Sequence, residues 1–209
     1  MVERVAVKST KIASIPRPMT EEEFEAWCDE DVRAEYVDGE VIVHTPVSTR
    51  HNDVMWFLGT LLNMFVSHHG LGRVYGPELQ VRLRPGLRRV PDLLFVTKAR
   101  TEIIHERHVE GAPDLVIEIV SPESVVRDWR EKYFEYEAAG VQEYWVIDPQ
   151  TRRMDAYRLP DEGRYTTVPF EEGVYRSQAV PGFWLRPDWL WQDPLPNVLD
   201  TARELGILG

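Results

Sequence analysis

Cysteine is almost absent from this sequence of 209 residues. The single residue of that type, Cys28, excludes a disulfide framework and any zinc site built from cysteines. An apolar run of roughly 18 residues, the length that a transmembrane helix needs, is also missing. The first residues mix charges and lack the apolar segment of a secretory signal. We therefore expect a cytoplasmic protein.

Positive charge is scarce: 24 Lys and Arg residues stand against 35 Asp and Glu, which gives a formal net charge of -11. Indiscriminate binding to nucleic acid depends on basic residues that neutralise phosphates, so this balance argues against it. A local basic strip, or a metal ion that offsets acidic charge, is compatible with the balance. Lysine is the rarer basic residue and occurs four times, at Lys8, Lys11, Lys98 and Lys132.

The length and the apolar content of 43% are ordinary for a globular chain of one domain. We expect a tail or an extra strand over residues 1–18, the main domain over 19–192, and an extension with a short helix over 193–209. The order of predicted elements fits an α+β domain in which helices flank a mixed central sheet and extra β-hairpins are added.

Capping signals and the spacing of apolar residues predict helices at about 21–29, 50–68, 124–139 and 197–205. Thr20 and Glu23 form a capping box at the start of the first helix. Gly70 and Gly140 are placed to end the second and the third.

Alternating or continuous apolar runs predict strands at about 34–37, 40–43, 72–76, 78–84, 90–96, 114–120, 143–148, 153–158, 164–168 and 173–177. Asp38-Gly39 predicts a tight hairpin turn, and Pro85-Gly86 a turn between the strands 78–84 and 90–96. The strand 114–120 is almost wholly apolar, which is typical of a central strand covered on both faces.

Two carboxylates in or beside these strands could carry chemistry. Asp92 follows Pro91 at the head of one strand, and Glu118 lies inside the apolar strand 114–120, where an unpaired charge is costly. If the two strands are neighbours, both carboxylates can hold one Mg²⁺ ion. The alternatives are that Asp92 caps a turn and that Glu118 pairs with an arginine. We interpret the similar dipeptide Pro113-Asp114 as a turn at the start of a strand.

Lys132 borders the apolar stripe of the helix that follows Glu118. An ammonium group there could reach the metal site and stabilise charge on a phosphoryl group or orient water. Its alternative is a pair with Asp128, four residues earlier on the same helix.

Basic residues that could contact nucleic acid precede Pro91, at Arg82, Arg84, Arg88 and Arg89. A charged hairpin exposed to solvent is the equally weighted alternative. His51, at a helix start, could cap the helix, contact phosphate or assist the site. A zinc site built from histidines is not expected.

The order of several motifs resembles that of the Uma-type family of restriction-endonuclease-like proteins, which have the PD-(D/E)XK nuclease fold. The motifs are Glu35-Tyr36-Val37-Asp38-Gly39-Glu40, His51, Pro91-Asp92-Leu93-Leu94-Phe95-Val96, the run from Pro113 to Ser124, Lys132 with Tyr136, and the run from Gly140 to Pro149. The resemblance covers about residues 19–192.

The resemblance implies a metal site in which Asp92, Glu118 and the backbone carbonyl of Ile119 bind Mg²⁺, with Mn²⁺ as a substitute. Val120 stands where such nucleases have a lysine, and the resemblance implies that Lys132 takes over the role of that lysine. Nucleases of this fold often add an acid from the first core helix, but the helix 50–68 has only Asp53 near its start. Glu35 is the nearest substitute.

The first hypothesis is therefore a Mg²⁺-dependent endonuclease that hydrolyses DNA phosphodiester bonds. The second is a catalytically inactive module that keeps the fold and binds nucleic acid or protein. A third, an enzyme acting on RNA or on a small phosphorylated molecule, stays open because fold does not fix function. By analogy with enzymes that cut duplexes, we expect a homodimer.

Overall fold

The structure, a computed structural model, describes residues 18–29, 32–44, 46–121, 127–161 and 163–208. Most of the tail or extra strand predicted over 1–18, and the start of the helix predicted at 124, lie outside the described residues. Every helix within the described residues is too short or too polar to cross a membrane.

The described residues contain four α-helices, each within a predicted helical region: α1 (Glu21–Trp27), α2 (Thr49–His69), α3 (Lys132–Ala139) and α4 (Val198–Glu204). The capping box of Thr20 and Glu23 is formed, and Gly70 ends α2 with the left-handed backbone that glycine favours. The third helix differs from its prediction, because a π-helical turn over Arg127–Glu131 precedes α3.

Thirteen strands complete the described structure. They are β1 (Ala34–Val37), β2 (Glu40–Val43), β3 (Gly72–Tyr75), β4 (Gln80–Arg84), β5 (Leu87–Arg89), β6 (Leu93–Thr97), β7 (His108–Glu110), β8 (Leu115–Ile119), β9 (Glu143–Asp148), β10 (Arg153–Arg158), β11 (Thr166–Thr167), β12 (Tyr175–Arg176) and β13 (Trp184–Leu185).

The main sheet has six strands in the order β11-β10-β9-β8-β6-β3. Strands β8 and β9 run parallel, whereas the other neighbours are antiparallel. This mixed sheet confirms the predicted fold class and the central position of the strand that carries Glu118.

A second sheet has the order β2-β1-β5-β4-β7, and β12 pairs with β13 in a small third one. The prediction of one strand over 90–96 was wrong in its start, because the Pro85-Gly86 turn leads from β4 into the short strand β5. Pro91 has no N–H for a ladder, and the chain passes there from the second sheet into β6 of the main sheet.

The two faces of the main sheet are covered by different elements. Leu115, Ile117 and Ile119 face a core shared with α2 and with the residues near α4. Val116 and Val120 face the other core, together with Tyr136 of α3 and apolar residues of the second sheet. This alternation is the predicted one, and it directs Glu118 toward α3.

The segment predicted as a C-terminal extension is part of the first core. Ala202, Leu205 and Ile207 are buried there among side chains of α2. The hairpin of β1 and β2 also follows its prediction, with positive φ angles at Asp38 and Gly39 that a tight turn requires.

Candidate active site

The two predicted carboxylates meet where β6 begins and β8 ends. These strands are antiparallel neighbours, with Leu93 opposite Ile117, so Asp92 lies beside the end of β8. Asp92, Glu118 and Ile119 line one cavity of about 530 Å³, together with residues of the β1–β2 hairpin, the start of α2 and the π-helical turn. The condition for a shared site, that the strands of Asp92 and Glu118 are neighbours, is therefore met.

Asp92 is held by groups from three distant parts of the chain. Its Oδ2 accepts a hydrogen bond from the amide of Ile119 at 2.8 Å and lies 3.1 Å from Nε2 of His51. Its Oδ1 lies 3.4 Å from a guanidinium nitrogen of Arg33. Burial acts to raise the pKa of Asp92, but His51 and the Ile119 amide outweigh it and lower the pKa below its ordinary value.

Glu118 is buried in β8 and accepts two hydrogen bonds on Oε1, from Nζ of Lys132 at 2.8 Å and from the hydroxyl of Tyr136 at 2.8 Å. The partner is thus a lysine rather than the arginine of the alternative interpretation. Burial raises the pKa of Glu118 to about 8, although Lys132 opposes the rise. The negative charges of three neighbouring carboxylates act in the same direction as burial: Asp128, Asp92 and Glu35.

Lys132 is the first residue of α3, and its ammonium group is surrounded by carboxylates. Nζ lies 2.8 Å from Oε1 of Glu118, 3.3 Å from Oε1 of Glu35 and 3.3 Å from Oδ1 of Asp128. These charges outweigh burial and raise the pKa of Lys132, which keeps it protonated. Lys132 therefore contacts Glu118 and also forms the predicted pair with Asp128, while its role in chemistry stays a prediction.

Glu35 lies behind Lys132 and is fully buried. Its carboxylate lies 2.8 Å from Arg89 and accepts a hydrogen bond from the amide of Val90 at 3.2 Å. Burial opposes these contacts, but Lys132, His44 and Arg89 hold the pKa of Glu35 well below its ordinary value. Glu35 is absent from the described residues that line the cavity, so it contacts the site through Lys132.

Among the predicted contacts to nucleic acid, the cavity includes His51 but none of the hairpin arginines within the described residues. Each of those arginines pairs with carboxylates instead: Arg82 with Glu21 and Glu110, Arg84 with Asp38, Arg88 with Glu21 and Glu25, and Arg89 with Glu35 and Glu135. The side chains of Arg88 and Arg89 are buried as well. Their contact with phosphate stays a prediction that the positions of these side chains do not favour.

Sequence reasoning missed two polar residues of the cavity wall, Arg33 and Arg127. It named Asp128 as a partner of Lys132 and Tyr136 as part of a motif, but it did not predict that Tyr136 donates a hydrogen bond to Glu118. No local sequence pattern marks Arg33 and Arg127, because only the tertiary structure brings them to the cavity.

The donor set fits a hard cation such as Mg²⁺. Mg²⁺ takes one or two carboxylates and keeps several waters, and Asp92 and Glu118 supply two carboxylates at one cavity. The described residues contain no group of three or more His, Cys, Asp or Glu side chains arranged to hold a metal ion, so a complete protein cage of the zinc type is not formed there. Ile119 adjoins the site through its backbone.

The mixed sheet is flanked by helices, and the site lies where the two central strands β6 and β8 begin and end, respectively. This arrangement is a restriction-endonuclease-like fold. The model of the Uma2 family, described as "Putative restriction endonuclease", matches residues 21–188, and the chain belongs to that family. Membership supports a nuclease-like function.

The chain is also similar to a crystal structure of "a putative nuclease belonging to DUF820" from Anabaena variabilis. The two chains are 22% identical, the match covers 83% of this chain and 98% of the other, and the TM-score is 0.68. At this identity the similarity concerns the fold. No curated protein matches this chain.

Proposed function

We propose that this protein is an endonuclease that hydrolyses DNA phosphodiester bonds with Mg²⁺, or Mn²⁺ in its place, held by Asp92, Glu118 and the carbonyl of Ile119. The observation that carries the proposal is the convergence of Asp92, Glu118 and Lys132 from three separate elements. Membership in the Uma2 family supports the same class of reaction.

Each residue has a role that follows from its contacts. When bound, Mg²⁺ supplies an activated water and neutralises charge on the phosphoryl group. His51 and the Ile119 amide fix Oδ2 of Asp92. Lys132 orients Glu118, and its charge lies where an anionic transition state gains from a preorganised cation.

Lys132 keeps donors that a phosphate could use. An ammonium group has three N–H donors. One is donated to Oε1 of Glu118 at 2.8 Å, whereas Glu35 and Asp128 lie 3.3 Å from Nζ as ion pairs, and Oδ1 of Asp128 has no hydrogen-bond partner among the described residues. A direct contact with phosphate therefore does not require Nζ to release Glu118.

A second candidate is a catalytically inactive module that binds nucleic acid or protein. The observation in its favour is Val120, which stands where related nucleases have a lysine, together with the net charge of -11. The two candidates differ in one measurable property, which is cleavage that depends on both metal and the site residues.

The experiment that tests the proposal incubates the protein with supercoiled plasmid and with single-stranded DNA, in Mg²⁺, in Mn²⁺ and in EDTA. Glu118→Gln and Lys132→Ala should each abolish the metal-dependent cleavage. Lys98→Ala is the matched control, since it removes the same charge at an exposed position. Equal cleavage by all these proteins would contradict the proposed site, and no cleavage by the folded parent would favour the inactive module.

The homodimer also stays part of the proposal, because one active site per strand suits an enzyme that cuts a duplex. Sedimentation velocity of the purified protein tests it. A monomer at the concentrations that give double-strand cleavage would contradict it.

A further inference from the structure

We propose that Arg33 and Arg127 form a phosphate-binding pair at the candidate site and hold the backbone of a DNA strand there. This inference rests on the proposed nuclease function and deepens it, because it assigns substrate binding to two residues of the cavity wall. The two arginines come from different elements: Arg33 directly precedes β1, and Arg127 begins the π-helical turn. Both line the cavity that contains Asp92 and Glu118.

Arg33 has donors that the protein does not use. Its backbone is fixed at the open end of the hairpin, where its carbonyl accepts a hydrogen bond from the amide of His44 at 3.0 Å. Its guanidinium group lies 3.4 Å from Asp92, which is longer than the 2.7–2.9 Å or so of a charge-assisted hydrogen bond. Its Nε is buried and has no hydrogen-bond partner. A guanidinium group carries five N–H donors, so an incoming anion can still be bound.

Arg127 is paired even more loosely among the described residues. The carboxylate oxygen recorded beside it is Oε2 of Glu35, at 4.0 Å. That oxygen already accepts a hydrogen bond from Arg89 at 2.8 Å. About a quarter of the Arg127 side chain is exposed, which leaves the guanidinium group accessible from the cavity.

The hairpin arginines provide the contrast. Arg82 lies 2.6 Å from Glu21, and Arg84 lies 2.8 Å from Asp38. An arginine that already has a close carboxylate gains little free energy when a phosphate replaces that carboxylate. An arginine whose ion pair is long loses little free energy when the pair is broken, so binding a phosphate is a net gain. The cavity also contains the carboxylates of Asp92, Glu118 and Asp128, which repel a phosphodiester unless nearby cations offset them.

The test measures the affinity of a short fluorescein-labelled DNA duplex by anisotropy in EDTA, so that binding is read without cleavage. Arg33→Gln and Arg127→Gln should each weaken binding by about tenfold or more, because each removes a charge-assisted contact. The slope of log Kd against log salt should fall by about one for each lost phosphate contact. Arg203→Gln is the matched control, because Arg203 is exposed on α4 and pairs with Asp200 at 2.6 Å, and its affinity and slope should equal those of the parent.

A second arm separates contact with phosphate from an altered structure. A duplex whose phosphates are replaced by neutral methylphosphonates should bind equally to the parent and to both arginine variants. Thermal melts establish that the variants fold. If the parent and the arginine variants still differ in affinity for the neutral duplex, the proposal is overturned.

The outcomes distinguish this inference from the proposed function. If both variants bind the charged duplex like the parent, the phosphate-binding pair is wrong, whether or not the parent cleaves plasmid. If both lose binding while no protein cleaves, the pair stands and the nuclease proposal fails. A folded parent that binds no DNA overturns the pair.

Discussion

The dipeptide Pro-Asp precedes two neighbouring strands of the main sheet, and the two aspartates have different surroundings. Because β6 and β8 are antiparallel, Asp92 and Asp114 lie at opposite ends of the pair. Asp114 accepts one hydrogen bond on each oxygen, from the amide of Thr97 at 2.8 Å and from Arg100 at 2.9 Å. It therefore acts as a structural residue at the start of a strand, as its position predicts.

Asp92 accepts comparable hydrogen bonds but shares its end of the sheet with other carboxylates. The buried acids there include Glu118, Glu35 and Asp128, and their mutual repulsion contributes to the raised pKa of Glu118. A cation that binds a group of mutually repelling carboxylates relieves their repulsion. A carboxylate whose charge is already compensated by one arginine and one amide gains less from a cation. The Pro-Asp dipeptide alone therefore does not define a site. The site is defined by the other carboxylates that lie at the same end of the sheet.

The largest expected effect is on cleavage. Asp92→Asn should reduce metal-dependent nicking of plasmid by more than about a hundredfold, since even residues that only support metal ligands have effects of 10–100-fold. Asp114→Asn makes the same chemical change at the other strand and should leave the rate close to that of the parent. Nicking rates on gels compare the two, and equal rates would remove the basis for distinguishing the aspartates.

Metal binding should give the next largest effect, measured as a shift of the melting temperature. At a metal concentration of about a hundred times its Kd the gain is about 2.7 kcal/mol, because the ion binds only the folded state. For a domain of this size the shift is roughly 5–10 °C. It should be retained in Asp114→Asn and lost in Asp92→Asn.

The pH dependence of that shift sharpens the prediction. Burial and the neighbouring carboxylates raise the pKa of Glu118 to about 8, and a cation binds the ionised carboxylate. The metal-induced shift should therefore grow as the pH rises through about 8 and shrink below it. In Glu118→Gln the residual shift should lose this dependence, and a shift in the parent that is constant with pH would contradict the assignment of Glu118.

Stability without metal should also test the contacts of the two aspartates. Asp114→Ala leaves the Thr97 amide and Arg100 without their acceptor, which costs about 1–3 kcal/mol in the free energy of unfolding. Asp92→Ala leaves the buried Ile119 amide and His51 without theirs and should cost at least as much, because the lowered pKa of Asp92 means that the fold stabilises its charge. Urea denaturation measures both, and a smaller loss for Asp92→Ala would show that repulsion among the site carboxylates outweighs these contacts.

The smallest effect is expected at Arg100, the partner of Asp114. Its side chain is 38% exposed, so the ion pair is screened by solvent and Arg100→Gln should cost at most about 1 kcal/mol. Cleavage should be unchanged. Loss of DNA cleavage in Arg100→Gln would show that the Asp114 end of the sheet is coupled to the site at the Asp92 end, which the contacts do not suggest.

Local patterns in the sequence predict much of the fold. The Asp38-Gly39 hairpin, the helix that Gly70 ends and the buried strand around Glu118 depend on residues a few positions apart. The short strand β5 escaped prediction because its pairing partners, β1 and β4, lie in another sheet than β6, and Pro91 marks the change only once both sheets are known.

The candidate site could be predicted only in part. Asp92, Glu118 and Lys132 stand in recognisable elements, so their convergence follows from strand order and from the helix after β8. The contacts of Asp92 with Arg33 and His51 join residues 59 and 41 positions apart, and no local pattern encodes them. The acidic partners of the hairpin arginines lie 28 to 67 positions away, so neither of the two interpretations of these arginines, contact with nucleic acid or exposure to solvent, anticipated them.

The carboxylates around Lys132 also determine how this lysine behaves toward chemical reagents. Acylating reagents attack the neutral amine, and Lys132 is both buried and held as an ammonium ion by its neighbours. Lys98 is exposed and open to attack. Amine-directed dyes, biotin or surface attachment should therefore modify Lys98 and spare Lys132 in the native protein. The rate of acylation at Lys132 then reports how often this region of the molecule opens.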